Sequence, residues 1–286
     1  MKALACALPH ESGLPLSRWS CHDIASEAVG RGIVASISGA TVWRWLSADA
    51  IRPWRYRSWI FPRDPGFQEK AGRVLDLYQG FWEDEPLGPA DYVISADEKT
   101  SIQARNRRHA TLSSAPGEPM RVEHEYPRKA ALAYLAAWDV RRAKLFGRGE
   151  AATGIKPFER LVAQVMGQEP YCSASRVFWI IDNGSSHRAA RCVERLQKTW
   201  PTIIPVHLPV HASWLNQIEI YFSILQRKVL TRNDFRSLTL LASRISQFQE
   251  RYPQIAEPFE WKFTRRDLAR VMAKLSATPI PLARAA

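Results

Sequence analysis

Three acidic residues stand where their carboxylates could hold metal ions for a chemical reaction. Asp97 ends the predicted strand YVISAD, and Asp182 ends the predicted strand RVFWIID. Ligands of open α/β sheets bind beyond the carboxyl ends of the strands, so we expect both side chains at one edge of a sheet. Glu219 belongs to a predicted helix and lies at the border of its apolar face.

Two aspartates and one glutamate suit phosphoryl transfer with two metal ions. In that reaction the ions lie about 4 Å apart, one activating the attacking oxygen and the other stabilising the leaving oxygen. Mg²⁺ fits because it takes few carboxylates from a protein and keeps its waters, and we expect Mn²⁺ to substitute. We expect Asp97 to bridge both ions, with Asp182 holding one and Glu219 the other. Each acid taken alone could equally be an unrelated surface residue.

The chain from residue 91 onward has the order of a mixed α/β sheet. Strands are predicted over 92–97, 131–140, 143–147, 176–182 and 202–209, and helices over 156–166, 189–200 and 214–230. A run of antiparallel strands followed by strand–helix alternation predicts one mixed sheet with helices on both faces. This is the order of the ribonuclease H-like fold.

The first 60 residues are predicted to form a small all-α helix-turn-helix domain. Helical patterns over 21–29 and 38–46 flank a turn that contains glycines, which is the spacing of that motif. Ser38 is the predicted N-cap of the second helix, whose residues Val42 and Trp45 are predicted to face inward.

The other predicted boundaries follow from composition. Residues 61–90 are predicted to be a linker, with a helix over 65–78 and an acidic segment, EDEPLGPAD, at its end. Residues 91–286 are predicted to be the catalytic domain, which ends in helices. Aromatic residues of the segment PFEWKFTRRDL are predicted to cover the sheet.

Basic and polar residues in both domains predict contacts with DNA. In the segment after the second helix, arginines alternate with tryptophan and tyrosine, and cations beside flat rings suit a phosphate backbone. The alternative interpretation is a set of solvated basic faces. The predicted contact residues are Ser38, Thr41, Arg44, Arg52, Arg55, Arg57, Lys99, Arg105, Arg107 and Arg108.

The overall charge agrees with a polyanionic partner. Among 286 residues, 40 Lys and Arg outnumber 28 Asp and Glu, which gives a formal charge of +12. The longest apolar run, Ala130–Trp138, is too short to span a bilayer, and the opening MKALACAL lacks the features of a signal peptide. We therefore predict a cytoplasmic protein that associates with the nucleoid and not with a membrane.

The cysteines are scattered along the sequence, without a CxxC pair or a Cys/His cluster at the spacing of zinc ligands. We predict that they are reduced thiols and that carboxylates hold any metal. The four are Cys6, Cys21, Cys172 and Cys192.

Three blocks of sequence surround the three acids: ISADEKTSIQA at 94–104, FWIIDNGSSH at 178–187 and HLPVHASWLNQIEIYF at 207–222. These blocks resemble the signatures of bacterial insertion-sequence transposases in the mariner-related DDE superfamily. The spacing also matches, with 85 residues from Asp97 to Asp182 and 37 from Asp182 to Glu219. The resemblance extends from about Ser36 to Leu275.

The resemblance implies a transposase, which cleaves DNA and transfers strands during cut-and-paste movement of an insertion sequence. It implies hydrolysis at the element ends, then attack of the freed 3′-hydroxyl on target DNA, with a preference for TA. The implied partners are double-stranded DNA, as terminal inverted repeats and as target, and a second copy of the chain in a homodimer on DNA ends.

Four polar residues near the acids are candidates for supporting roles. Asn183 and His187 could orient water or phosphate near the metals, or could instead cap the helix that follows. His211 and Asn216 resemble family positions that shape the active site, and a role in stabilising a turn explains them nearly as well.

Related transposases carry two paired helix-turn-helix units, and this sequence begins where the second is already under way. We interpret MKALACAL as the remnant of an introducing helix, which predicts poor discrimination of element ends. Two alternative functions stay open at this point: a truncated, inactive DNA-binding remnant that acts as a repressor, and another ribonuclease H-like nuclease.

Overall fold

The computed structural model of the chain describes residues 1–55, 62–184, 190–232 and 234–277. The predicted DNA contact Arg57 and the candidate His187 lie outside these residues. The chain divides into two compact units, Met1–Phe61 and Pro62–Ala286. The predicted linker helix belongs to the second unit.

The described part of the first unit contains the helices α1 (Lys2–Cys6), α2 (Cys21–Gly30) and α3 (Gly39–Ala48). Serine N-caps begin the two longer helices: Asp23 N donates to Ser20 Oγ at 3.1 Å, and Thr41 N donates to Ser38 Oγ at 3.2 Å. These caps satisfy backbone N–H groups that have no partner within the helix. The predicted N-cap role of Ser38 is thus confirmed.

The inward face of α3 differs from the prediction. Val42 and Leu46 are fully buried, whereas Trp45 is 52% exposed. Residues four apart lie one above the other on a helix face, so Leu46, and not Trp45, shares the core with Val42. The prediction that Trp45 faces inward is wrong.

The second unit begins with α4 (Phe67–Gln79) and a short hairpin of β1 (Phe81–Trp82) and β2 (Glu85–Pro86). A five-stranded sheet follows. Its strands are β3 (Asp91–Arg105), β4 (Arg128–Asp139), β5 (Lys144–Glu150), β6 (Arg176–Ile181) and β7 (Ile203–His207). Their spatial order is β5-β4-β3-β6-β7. Strands β3, β4 and β5 pair antiparallel, while β6 pairs parallel with both β3 and β7.

Helices cover both faces of this sheet. One face packs on α5 (Ile155–Met166) and α6 (Ala190–Thr199). The other packs on α4, α7 (Ile218–Leu225), α8 (Leu238–Arg251) and α9 (Arg265–Ala277). Successive residues of a strand point to opposite faces, and the two cores accordingly take alternate residues of β3 and β4. The predicted mixed sheet with helices on both faces is confirmed.

Strand β3 does not end at Asp97 as predicted, but continues for eight more residues to Arg105. Strand β4 keeps pairing with it past that point, with Asp97 opposite Ala136. The polar residues after Asp97 are strand residues, interrupted by a bulge between Lys99 and Ile102 where Ser101 has φ 57°. The parallel partner β6 stops at Ile181, so Asp97 still lies where the parallel part of the sheet ends.

The predicted helix over 214–230 is divided. A 3₁₀ turn, Ser213–Leu215, precedes α7, and a π-helical turn, Gln226–Leu230, follows it. The break arises because tertiary contacts hold the backbone before α7: Gln217 N donates to Tyr78 Oη at 3.2 Å and Ile218 N donates to Ser95 Oγ at 2.9 Å.

Aromatic residues of the C-terminal segment pack against the second unit, as predicted. Phe259 stacks on Trp138 with ring centroids 4.6 Å apart, and Trp261 lies 5.1 Å from Tyr78. Arg265 of α9 forms an ion pair with Asp76 of α4 at 3.1 Å, which links the two helices.

Cys6, Cys21 and Cys172 are free cysteines. That all four cysteines are reduced stays a prediction. None of the helices in the described ranges has the length and apolar character needed to cross a membrane.

Gly147 of β5 is expected to be intolerant of a side chain. A Cβ atom there would overlap Tyr134 Oη and Gln249 Oε1, and Tyr134 is nearly fully buried. Gly147→Ala should lower the free energy of unfolding by about 1 to 3 kcal/mol, the usual cost of overpacking. Gly149→Ala in the same strand is the matched control, since its Cβ would meet Leu132 at an ordinary 3.5 Å. Equal denaturant midpoints for the two variants would contradict this expectation.

Candidate active site

Asp97 is a half-buried carboxylate on the central strand. Its Oδ1 accepts the backbone N–H of Glu98 at 2.7 Å, and Asn216 Nδ2 approaches its Oδ2 at 3.4 Å. Burial raises the pKa of Asp97 to about 7, and the negative charges of Asp182 and Glu219 contribute to this increase. Because three negative charges act on one another here, this site favours binding of a cation.

Asp182 immediately follows β6 at the end of the parallel part of the sheet. Its Oδ1 accepts the backbone N–H of Gly184 at 2.8 Å, which holds the side chain in the turn after the strand. The adjacent Asn183 donates from Nδ2 to the carbonyl oxygen of Leu208 and so ties this turn to the chain after β7. Asn183 therefore fixes the loop that carries Asp182.

Glu219 lies in the first turn of α7, where the positive end of the helix dipole favours a negative charge. Partial burial of its carboxyl group raises the pKa of Glu219, Lys99 lowers it, and Asp182 raises it. Lys99 belongs to the central strand β3, and Asp182 directly follows its parallel neighbour β6.

The three acids thus act on one another electrostatically, although up to 122 positions separate them in sequence. In the part of the chain that the structure describes, no three acid, histidine or cysteine side chains already form a closed set of ligands around one ion. It stays a prediction that rotation of the three acidic side chains brings their oxygens around a metal ion. The donors offered are all carboxylate oxygens, the ligand type that Mg²⁺ prefers, so the residues present fit a divalent ion.

A buried hydrogen-bond network lies next to the acids, and two of its members, Ser95 and Tyr78, were not predicted from the sequence. Ser95, fully buried, donates to Asn216 Oδ1 and accepts the backbone N–H of Ile218 at 2.9 Å. Asn216 also donates to the carbonyl oxygen of Ala96 at 3.0 Å. Tyr78 of α4 donates to the carbonyl oxygen of Leu215 at 2.7 Å. This network fixes the start of the helix that carries Glu219 against the strand that carries Asp97.

One signal in the sequence could have identified Ser95. It is a polar residue in the apolar run of β3 and lies two positions before Asp97, so both point to the same face of the sheet. Tyr78 had no such signal, because its role depends on how α4 packs against the chain before α7.

Of the other supporting candidates, Asn216 is brought to the acids and His211 is placed in a turn. Asn216 is 1% exposed and contacts Asp97 directly. His211 is exposed and has φ 60°, a backbone conformation typical of turns.

The described residues predicted to contact DNA have different surroundings. Arg44, Arg52 and Arg55 of the first unit are exposed, and Arg44 donates to Thr41 Oγ1 at 3.2 Å. In the second unit, Arg105 lies over the ring of Tyr126 at 4.5 Å. The three arginines of the first unit are available as cations, whereas Arg105 is half-buried.

Arg107 and Arg108, which were also predicted to contact DNA, form hydrogen bonds in the loop after β3. Arg107 donates to the carbonyl oxygens of Glu123 and Arg232, each at 2.6 Å, and the backbone N–H of Arg108 donates to Glu123 Oε2 at 2.8 Å. Arg107 therefore organises this loop whether or not it also contacts DNA.

Ser95→Ala should destabilise the protein, because it leaves the Ile218 N–H and the Asn216 carbonyl oxygen buried without this partner. The expected loss is about 1 to 3 kcal/mol in the free energy of unfolding. Ser246→Ala, which removes an exposed serine hydroxyl from α8, is the matched control and should change stability little. Urea denaturation of both variants measures the difference; a loss no larger than that of the control would show that the network does not hold this site.

The part of the sequence that contains the three acids matches a known protein family. The model of the family described as DDE superfamily endonuclease matches residues 92–242, more than half of the chain. No curated protein sequence matches the chain.

Solved structures of the Mos1 mariner transposase have a similar fold. Its paired end complex with Mn is 14% identical, with a TM-score of 0.55, and the match covers 96% of this chain and 77% of that one. The pre-cleavage Mos1 transpososome is 14% identical, with a TM-score of 0.54, over 97% of this chain and 77% of that one. The Mos1 paired end complex with Mg is 13% identical, with a TM-score of 0.57, over 97% and 78%. The likeness confirms the predicted ribonuclease H-like fold.

Proposed function

Because this chain belongs to the family of DDE superfamily endonucleases, we propose that it is a DDE transposase, which cleaves DNA strands and transfers their ends by phosphoryl transfer. The observation that carries the proposal is the placement of Asp97, Asp182 and Glu219: β3 and β6 pair side by side up to the two aspartates, and Ser95 of β3 accepts the backbone N–H of Ile218, next to Glu219. All three lie inside the segment that matches the family.

Asp97, Asp182 and Glu219 are the proposed ligands of two divalent ions, Mg²⁺ or Mn²⁺. Such ions, when bound, activate the attacking oxygen and stabilise the leaving oxygen in phosphoryl transfer. We propose that Asp97, on which the charges of the other two acids both act, would be the ligand shared by both ions.

The residues around the acids have positioning roles in this proposal. The Ser95–Asn216 network holds the strand of Asp97 against the start of α7, so that the carboxylates of Asp97 and Glu219 keep their relative placement. Lys99, whose charge acts on Glu219, supplies a cation where the phosphate backbone would approach. Asn183 keeps the turn that presents Asp182 in place.

The proposed substrate is double-stranded DNA, as the terminal inverted repeats of an insertion sequence and as target DNA, with TA as the expected target. A formal charge of +12 supports a polyanionic partner. The Mos1 structures are of paired end complexes and a transpososome; by analogy we propose a homodimer on DNA ends. The place of action is then the cytoplasm, at the nucleoid.

A strand-cleavage assay tests this function. Supercoiled plasmid DNA incubated with the purified protein in Mg²⁺ or Mn²⁺ should be nicked, and the nicks should carry 3′-hydroxyl ends that a DNA polymerase extends. Chelation of the metal should stop the reaction without preventing DNA binding. DNA binding with no cleavage in either metal would instead favour the repressor alternative.

A further inference from the structure

A basic groove lies between the end of α7 and the first turns of α8. It encloses a cavity of about 690 Å³. Cationic side chains line it from the π-helical turn, from the loop that follows, and from α8. These residues, which define the basic groove, are Arg227, Lys228, Arg232, Arg236 and Arg244.

The positive charge of the basic groove is not neutralised within the described ranges. All five cationic residues are exposed, and none of them forms an ion pair with another described residue. Arg227 donates to the hydroxyl of Ser223 at 2.5 Å. Asp234 also lines the cavity and accepts a hydrogen bond from Thr111 Oγ1 at 3.1 Å. Five cations beside one acid leave a strong net positive field that suits a polyanion.

Tertiary hydrogen bonds hold the backbone of the groove. Phe235 N donates to the carbonyl oxygen of Arg105 at 3.1 Å, and Arg107 Nη1 donates to the carbonyl oxygen of Arg232 at 2.6 Å. Thr231 Oγ1 donates to the carbonyl oxygen of Gln226 at 2.7 Å. The loop is therefore tied to the end of β3, the strand that carries Asp97, which preorganises its cations for binding.

A second cavity borders the basic groove on the side of β3. It measures about 340 Å³, and Lys99, Arg105 and Gln226 contribute to its lining. Thr231 lines both cavities. Lys99 lies two residues after Asp97 on the same face of β3, so positive charge extends from beside Asp97 through the second cavity into the basic groove.

We propose that the basic groove binds the phosphodiester backbone of a DNA strand on its way to or from the carboxylate site. This inference rests on the proposed function and adds to it the surface that holds the substrate beside the scissile phosphate. An acidic polypeptide would also bind these cations. DNA fits better, because the cations lead toward Asp97 and a DNA strand under cleavage must run from the groove to the carboxylates. Phosphate contacts position a strand without reading its sequence, so the groove should contribute equally to all DNA sequences.

The double variant Arg236→Gln/Arg244→Gln tests the proposal in the full chain. The binding constant K falls with salt, and each lost phosphate contact reduces the magnitude of the slope of log K against log salt concentration by about 0.9, so the double variant should reduce it by about 1.8. The measurement is fluorescence anisotropy with a labelled duplex at several salt concentrations. Strand cleavage at low DNA concentration should fall with binding, while cleavage at saturating DNA should be largely retained, because neither residue belongs to the carboxylate site.

Two matched variants control for charge and for folding. Arg141→Gln/Lys156→Gln removes the same charge from exposed positions outside the groove and should leave the salt slope unchanged. Arg236→Lys/Arg244→Lys keeps the groove positive and should restore most of the slope. The groove proposal would be wrong if the groove variant kept the salt slope, or if the Arg141→Gln/Lys156→Gln control lost as much of it. Cleavage by the unaltered protein would then still support the proposed function. Failure of the unaltered protein to bind or cleave DNA would overturn both.

Discussion

Asp97→Asn should reduce metal-dependent DNA cleavage about a thousandfold, which corresponds to about 4 kcal/mol of transition-state stabilisation. The substitution keeps the size of the side chain, and an amide oxygen can still accept the 2.7 Å hydrogen bond from Glu98 N. It removes the negative charge, and a neutral amide is a poor ligand for Mg²⁺. The measurement is the initial rate of plasmid nicking in Mg²⁺, with duplex binding measured in parallel.

DNA binding by this variant should stay close to that of the unaltered protein, because the basic residues are untouched. Glu98→Gln is the matched control on the same strand: its side chain points to the opposite face, so it should retain most of the activity. Asp182→Asn and Glu219→Gln should resemble Asp97→Asn, and combining two of these changes should add little further loss, as expected of residues that act as a unit. Nicking by Asp97→Asn at the unaltered rate would remove Asp97 from the reaction.

The second large effect is a pH-dependent change in stability that Asp97 confers on the metal-free protein. Burial raises the pKa of its carboxyl group to about 7, whereas an unfolded aspartate titrates near about 3.9. Between these values the folded state keeps a proton that the unfolded state releases, so the free energy of unfolding falls as pH rises from about 4 to about 7. Above pH 7 this contribution stays at its minimum.

Asp97→Asn should therefore be more stable than the unaltered protein at pH 8 without metal, by on the order of 2 to 4 kcal/mol. At pH 4 the difference should be small, since the unaltered carboxyl group is then protonated in the folded state and still about half protonated in the unfolded state. Mn²⁺ should stabilise the unaltered protein more at pH 8 than at pH 6, because a metal must displace the proton, and it should stabilise the variant little at either pH. Chemical denaturation at the three pH values, with chelator or Mn²⁺, measures both effects. Parallel pH profiles for the two proteins would contradict the assignment.

The strand–helix order and the three acids could be predicted from the sequence because they depend on local patterns. Alternation and apolar runs located the strands, and Asp182 follows the buried run of β6 as expected. The end of β3 could not be predicted in this way. Its second half is polar, and only pairing with β4, a strand more than twenty residues later, keeps it extended past Asp97.

Residues whose roles depend on tertiary contacts were the ones missed. Leu46 and Trp45 are both apolar residues of one short helix, and the packing of that helix decides which of them is buried. Tyr78 supports the active site through the backbone before α7, a contact across 137 residues. The basic groove combines cations from a helix end, a loop and a second helix, and no local pattern in the sequence brings these together.

Anomalous diffraction from crystals grown with Mn²⁺ tests most directly whether the three acids hold two metal ions. Two strong anomalous peaks about 4 Å apart should lie among Asp97, Asp182 and Glu219, with Asp97 contacting both. The same experiment on Asp97→Asn should show weaker peaks or none. Carboxylates that stay too far apart to share the ions in the Mn²⁺-bound protein, or peaks bound elsewhere with none at these residues, would contradict the two-metal site.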